Sequence, residues 1–368
     1  MRLYRMELYK LMHGKFFLAG LPVILAVLLL YFAFVNVGDE RAVVNGKVYT
    51  GYEAVRENRE ITKEFTGPLD DETAEQIIEK YGFPSQVEEY YGGFRDENYL
   101  NGFVTEYLGN GYMRSWDDYK VSTELIPVAQ TDLGRAAETS GKEIILCYTK
   151  GWSVLLDTLQ LGMILGSVLI LVSVSPVFAE ERQCRMSALL FTSEEGRDRD
   201  VTAKIAAAFT LTAAVYAAVV LSVFLSVGAV YGLEGGNCMT GIVAGSLNPF
   251  SRVTMKPVLS FVLLSLDADA LALMSLCAVV LCVSAHYETS FYSVAVSGIV
   301  WMIPLLIRIL FGGLGYVVMC GTPLFLVMTG VLMDIYSILF IPAAVGTATL
   351  IFCTMNGRRA YMLSEGGR

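Results

Sequence analysis

Six stretches of the chain, at 16–35, 152–178, 205–230, 268–284, 291–311 and 336–355, are apolar over roughly the length a helix needs to cross the hydrocarbon core of a bilayer, about 20 residues. No other feature limits the fold as strongly. Within a bilayer every backbone N–H and C=O must be bonded inside the protein, which leaves only helices and closed barrels. The uninterrupted run from Leu161 to Val174 has none of the alternation of a barrel strand, so the spans are expected to be helices. With 54% apolar and 17% charged residues, the chain carries more hydrocarbon than one soluble domain buries, and disorder and collagen-like repeats are excluded. The expected class is an all-α polytopic protein of the cell membrane with six transmembrane helices, leaving room for one small aqueous domain.

Basic flanks orient the spans. Arg2, Arg5, Lys10 and Lys15 accompany Leu3, Tyr4, Leu8, Tyr9, Leu11 and Met12 on a rough helical stripe. This reads as an interfacial helix feeding an uncleaved first span (1–36), because the apolar core is too long for a signal peptide and no small-x-small cleavage site follows it. The loop 179–204 holds Arg182, Arg185, Arg197, Arg199 and Lys204 and is expected inside. Arg358 and Arg359 close the last span on the same side, which makes both termini cytoplasmic and 151–368 a five-span domain. Two shorter apolar pieces, 257–266 and 323–333, are read as re-entrant or interfacial helices at the outer face, the competing reading being a seventh or eighth span.

Residues 37–150 are then extracytoplasmic, and they differ in chemistry from the rest. They hold 22 acids against 12 bases, net −10, whereas the remainder holds 14 against 15, net +1. Asn45-Gly46 between two short β-prone runs signals a type I′ hairpin, and Asp70-Asp71-Glu72 opens a helix that stops at Gly82. A small α+β domain is expected. Tyr90, Tyr91, Phe94, Tyr99, Phe103, Tyr107 and Tyr112 are better accounted for by a small core and interface-seeking rings than by a ligand cage. The seven cysteines form no framework and no CxxC pair. Cys147 and Cys238 both face outside in this topology, but nothing in the sequence fixes their separation, so no disulfide is assigned.

Catalysis by the chain itself is not expected. Only His13 and His286 are present, without an H-E-x-x-H motif or a relay spacing. Gly141-Lys142 lacks the rest of a phosphate loop, and Leu363-Ser364-Glu365-Gly366-Gly367 only imitates a cassette signature. No cofactor is implied. No basic patch interleaved with aromatics is present, so nucleic acid is not an expected partner. Four charges fall in apolar stretches, where each costs about 2.5–3.5 kcal/mol at a span centre: Asp157 near the outer end of the second span, Asp267 and Asp269 at the start of the fourth, and Arg308 near the top of the fifth. They suggest an ion-paired cluster at the outer face or charges wetted at headgroup level. An Asp-x-Asp metal site has no third ligand near in sequence.

The clearest constellation follows the second span, from Phe178 to Arg197, with Lys204 at the mouth of the third. The span ends in acids, a short amphipathic segment presents Met186, Leu189, Leu190 and Phe191, and a basic segment re-enters the membrane. Taken alone, it is equally a docking ridge for a partner or an ordinary juxtamembrane loop. It resembles the coupling-helix region of the permease subunits of type-2 ATP-binding-cassette exporters, F-S-x-E-x-x-x-G-T-L-x-x-L-L-x-[ST]-P-x-x-R with a lysine at the next span. Phe178, Glu181, Leu190, Ser193 and Arg197 fall in register, and Lys204 follows. Arg185 stands where the glycine is expected, Ser187 and Phe191 where the first and last leucines are, and Glu194 where the proline is.

The resemblance implies a dimer of such chains, homomeric or heteromeric, that exports an amphipathic, drug-like or peptide substrate with ATP hydrolysed by a separate ATPase subunit. Glu181, Arg185, Met186, Leu189, Leu190, Phe191 and Arg197 would couple to that ATPase. An outside domain of this size between spans one and two is similar to a subset found in Gram-positive bacteria. The alternative is a membrane sensor or immunity module whose acidic outside domain binds a peptide.

Overall fold

A computed structural model describes residues 2–84, 96–109, 124–186, 198–243, 256–312, 317–318, 322–334 and 336–366. Helix makes up 78% of the structure, and among the described residues six helices are long and apolar enough to cross a membrane: Lys15–Val37, Lys150–Gln183, Arg199–Val230, Val258–His286, Ser290–Phe311 and Phe340–Leu363. In chain order the helices are α1 (Arg2–Met12), α2 (Lys15–Tyr31, continued by a π-helical turn Phe32–Val37), α3 (Tyr52–Glu64), α4 (Asp71–Tyr81), α5 (Tyr99–Leu108), α6 (Asp132–Ser140), α7 (Lys150–Val174), α8 (Pro176–Gln183), α9 (Arg199–Val230), α10 (Val258–His286), α11 (Ser290–Phe311), α12 (Thr329–Asp334) and α13 (Phe340–Gly366).

Several expected boundaries are corrected. Residues 257–266 are not a separate short piece but open α10, which runs unbroken from Val258 to His286. Asp267 and Asp269 therefore lie well inside that helix, not at its start. They interrupt the apolar run of the sequence, yet an aspartate costs a helix interior only about 0.7 kcal/mol relative to alanine, too little to break it. The second long helix continues past Phe178 to Gln183, and the sixth begins at Phe340 and carries Arg358 and Arg359 within it. Residues 323–333 do form only short pieces, a 3-10 turn at Pro323–Val327 and α12.

The chain divides into two units, one of Met1–Leu28, Leu159–Ser222 and Leu264–Arg368 and one of Leu29–Thr158 and Val223–Leu263. In the first, α9 buries Ala207, Leu211, Val215 and Val219, a spacing of four that lines one helix face. Opposite them are glycines of α7. A Cβ at Gly162 would lie 2.5 Å from Val219 Cγ1, and one at Gly166 would lie 3.3 Å from Val215 Cγ1. Close approach thus depends on glycine in α7 more than on the alanine run of α9, of which Ala207 and Ala208 are the buried members. Phe291, Ile309, Leu310 and Phe311 of α11 are exposed, an apolar face suited to lipid and not to water.

The second unit has its own core of Val44, Leu69, Ile77, Leu100, Phe103, Val104, Leu108, Leu133 and Leu146. Strands β1 (Arg41–Val44) and β2 (Lys47–Thr50) pair antiparallel with Val44 opposite Lys47, and Asn45 and Gly46 take the left-handed φ of a type I′ turn, +53° and +71°. Both turn amides donate to the Asp96 carboxylate, at 2.7 and 2.9 Å. A second pair joins β3 (Gly67–Pro68) to β4 (Ile145–Leu146). Asp70 caps α4 by accepting from Thr73 N, and Gly82 closes it at φ +70°. Tyr99, Phe103 and Tyr107 sit along α5 at successive ring separations of 6.3 and 4.7 Å, with Phe103 in the core; Tyr90, Tyr91, Phe94 and Tyr112 lie outside the described residues. Cys147 and Cys238 are joined by a disulfide, the pairing that sequence separation alone left open.

Candidate functional site

The site is a buried ion-pair cluster built from the segment after α7. Pro176 lacks an amide hydrogen, so the helix cannot pass it with its ladder intact. The Ser284 hydroxyl of α10 enters the gap, donating to Ser175 O at 2.7 Å and accepting from Phe178 N and Ala179 N, each at 3.1 Å. A side chain inserted between an i carbonyl and an i+4 amide bends a helix there. Beyond that bend, α8 carries Glu181, which is 7% exposed.

Lys204 of α9 is 1% exposed, and its ammonium has three carboxylates around it: Asp200 Oδ2 at 2.6 Å, Glu181 Oε1 at 3.1 Å and Glu7 Oε1 of α1 at 3.1 Å. Three N–H donors thus meet three acceptors, which is what a buried ammonium requires. Asp200 also sits in the first turn of α9, where the helix dipole favours an acid. The second oxygen of Glu181, Oε2, accepts from the Tyr361 hydroxyl of α13 at 2.8 Å. Lys10 of α1 approaches Glu181 Oε1 at 3.9 Å, the Arg182 guanidinium lies 5.1 Å from the Tyr361 ring centroid, and Phe178 packs on that ring at 4.5 Å. Three carboxylates against Lys204 and Lys10 leave one net negative charge. A groove of about 400 Å³ bordered by Glu7, Lys10, Lys15, Pro176 and Glu180 opens beside the cluster. Chemically, the cluster ties α1, α8, α9 and α13 together through charges that cannot be separated without exposing one of them.

The end of α8 has a second feature. Met186 N donates to Glu181 O and Arg185 N to Arg182 O, the two bonds of a Schellman closure, with Arg185 in the left-handed region at φ +56°. Glycine is the residue this position ordinarily favours. Met186, just beyond, is 54% exposed. Leu189, Leu190, Phe191 and Arg197 lie outside the described residues.

Of the four charges singled out in apolar stretches, Asp157, Asp267 and Arg308 are exposed on α7, α10 and α11, whereas Asp269 is buried in α10. Sequence reasoning singled out Glu181 and Lys204 but missed Glu7, Asp200 and Tyr361. Two signals were available: Glu7 is the lone acid among the basic residues of α1, and Asp200 stands one helical turn before Lys204. Among the described residues, no group of three or more His, Cys, Asp or Glu is placed to hold a metal ion. Comparison with known protein families, with curated proteins and with solved structures returns no match.

Proposed function

We propose that the chain is the membrane-spanning subunit of an ATP-binding-cassette exporter, acting as a dimer with a separate ATPase subunit beneath it. The observation that carries this reading is the direct contact between Glu181 and Lys204. These are the acid before the coupling segment and the lysine after it in the motif that the sequence resembles, and a salt bridge between them gives both a reason to be there. A supporting detail is Arg185, which adopts a left-handed backbone at the position where that motif has glycine. Motion of the segment between Glu181 and Lys204 would be passed to α1, α9 and α13 through the cluster.

In this reading both termini and the cluster are cytoplasmic, and residues 37–150 are outside. The Cys147–Cys238 disulfide supports that orientation, because disulfides persist in oxidising compartments and are rare in the cytosol. Trp152 donates Nε1–H to Glu234 O and Tyr231 its hydroxyl to Asn36 O, at the ends of α7 and α9, where interfacial aromatics belong. The substrate would pass between protomers, and its amphipathic, drug-like or peptide character is taken from the resemblance.

Affinity purification from native membranes tests the reading. A cassette ATPase that copurifies and hydrolyses ATP in response to candidate substrates is the expected result. Peptide binding by the isolated membrane protein with no ATPase and no ATP dependence would favour the sensor or immunity reading.

A further inference from the structure

Two thiols from different helices meet in the first unit. Cys282 lies on α10, one turn before its last residue His286, and Cys353 lies on α13. Both are free and neither is fully buried. Cys353 shares a face of α13 with Asn356 and Gly357, three and four residues further on, and both of these pack against Cys282. Asn356 donates Nδ2–H to Cys282 Sγ at 3.7 Å, and His286 Nδ1 lies 2.8 Å from the Cys282 carbonyl oxygen. The helices run close here: a Cβ at Gly357 would lie 3.0 Å from the Cys282 Cα. A cysteine used as a small hydrophobe is simply buried, as Cys277 is deeper in α10. Cys282 is different, since an amide donates to its sulfur and the face of α13 that carries Cys353 packs against it.

We propose that Cys282 and Cys353 are a peroxide-sensitive dithiol that closes to a disulfide tying α10 to α13. The Cys282 thiolate attacks one peroxide oxygen, so the S–O bond forms as the O–O bond breaks. Hydroxide leaves and takes up the proton that Cys282 gave up, giving water. Cys353 then attacks the sulfenic sulfur. The S–S bond forms, the S–O bond breaks, and the departing hydroxide takes the Cys353 proton as a second water, so two thiols and one peroxide yield one disulfide and two waters. Cys282 is the attacking sulfur because Asn356 donates to it, and His286 one turn on is exposed at the helix end, where peroxide has an aqueous approach. Small thiols reverse the bond by exchange.

The test uses the full-length protein in detergent micelles, with Cys184→Ser and Cys320→Ser so that Cys277 and the pair are the cysteines left beside the disulfide. It is treated with hydrogen peroxide, blocked with N-ethylmaleimide, digested and mapped by mass spectrometry. The expected result is one linked peptide joining Cys282 to Cys353, formed while Cys277 is still alkylated in full and reversed by dithiothreitol. In the Cys353→Ser variant, dimedone is expected to trap a sulfenic acid at Cys282. With Asn356→Ala, linkage is expected to slow several-fold. Oxidation of the two sulfurs to separate sulfinic acids with no linked peptide would overturn the proposal, as would oxidation of Cys277 before either. If Cys353→Ser fails to accumulate, the linked peptide in the parent protein decides alone.

Discussion

Lys204 remains charged in the interior only because Asp200, Glu181 and Glu7 meet it from three directions, so its removal is expected to be worse than the loss of any one acid. Lys204→Met keeps much of the side-chain volume but leaves three carboxylates facing one another. Breaking a buried pair by deleting one partner costs about 3–5 kcal/mol, and thermal unfolding in detergent should show it as a clear drop in midpoint. Glu181→Gln retains an acceptor for the Tyr361 hydroxyl and removes one charge from a cluster that carries a net −1, so its midpoint should fall much less. An unchanged midpoint for Lys204→Met would mean that the ammonium is not held as described. The contrast also selects the variant for testing transmission: Glu181→Ala would confound signalling with stability, and Glu181→Gln separates them. Arg185 is a different kind of residue, its backbone held in the left-handed region at the end of α8. Left-handed conformation costs a non-glycine residue about 1–2 kcal/mol, so Arg185→Gly is expected to raise the midpoint and Arg185→Val to lower it, measured side by side.

At the scale of elements, the hairpin at 41–50 and α4 were legible because their signals are local: Asn45-Gly46 at the turn, Asp70 at the cap, Gly82 at the stop. Helix α10 was not, because hydropathy and helicity part company at Asp267 and Asp269. Charge interrupts an apolar window, whereas only a glycine or proline interrupts a backbone ladder strongly. Hydrogen exchange should therefore show one continuous protected block from Leu259 to Ala285, and a fast-exchanging gap at 264–268 would restore the two-piece reading. The site divides in the same way. Glu181 and Lys204 flank one loop and could be paired from the sequence, but Glu7 is 197 residues from Lys204 and Tyr361 is 180 from Glu181, separations that no periodicity encodes. The segment between Glu181 and Lys204 contains Met186, Leu189, Leu190 and Phe191, which the exporter reading makes a docking ridge. Charging a buried interface anchor commonly costs about 2 kcal/mol or more, so Leu190→Asp or Phe191→Asp is expected to abolish ATPase copurification while leaving the unfolding midpoint unchanged. Normal copurification and transport in both variants would remove the docking role from that ridge.

The whole molecule is asymmetric in charge, and that asymmetry has a consequence for how it can sit in a bilayer. Residues 37–150 carry net −10, while helix flanks outside that segment carry Arg2, Arg5, Lys10, Arg182, Arg185, Arg199, Arg358 and Arg359. Positive flanks are retained on the cytoplasmic side and acids contribute little to orientation, so the basic end is expected inside and the acidic segment outside. An even number of crossings then returns the carboxyl-terminal end to the side of the amino-terminal one. Single cysteines introduced at Glu60 and Thr240 should react with a membrane-impermeant maleimide in intact cells. Those at Lys10, Leu190, Glu288 and Met362 should react only after the membrane is opened. In the exporter reading all six long helices cross, and the two sets must then sort together, because no loop can move without moving its neighbours. The disulfide adds an independent check: Cys147 and Cys238 should resist alkylation in intact cells until a reductant is added. Labelling at 190 without labelling at 60 would turn the molecule over. The Glu181–Lys204 cluster would then face away from any cytosolic ATPase, and the exporter reading would fall even though every helix kept its place.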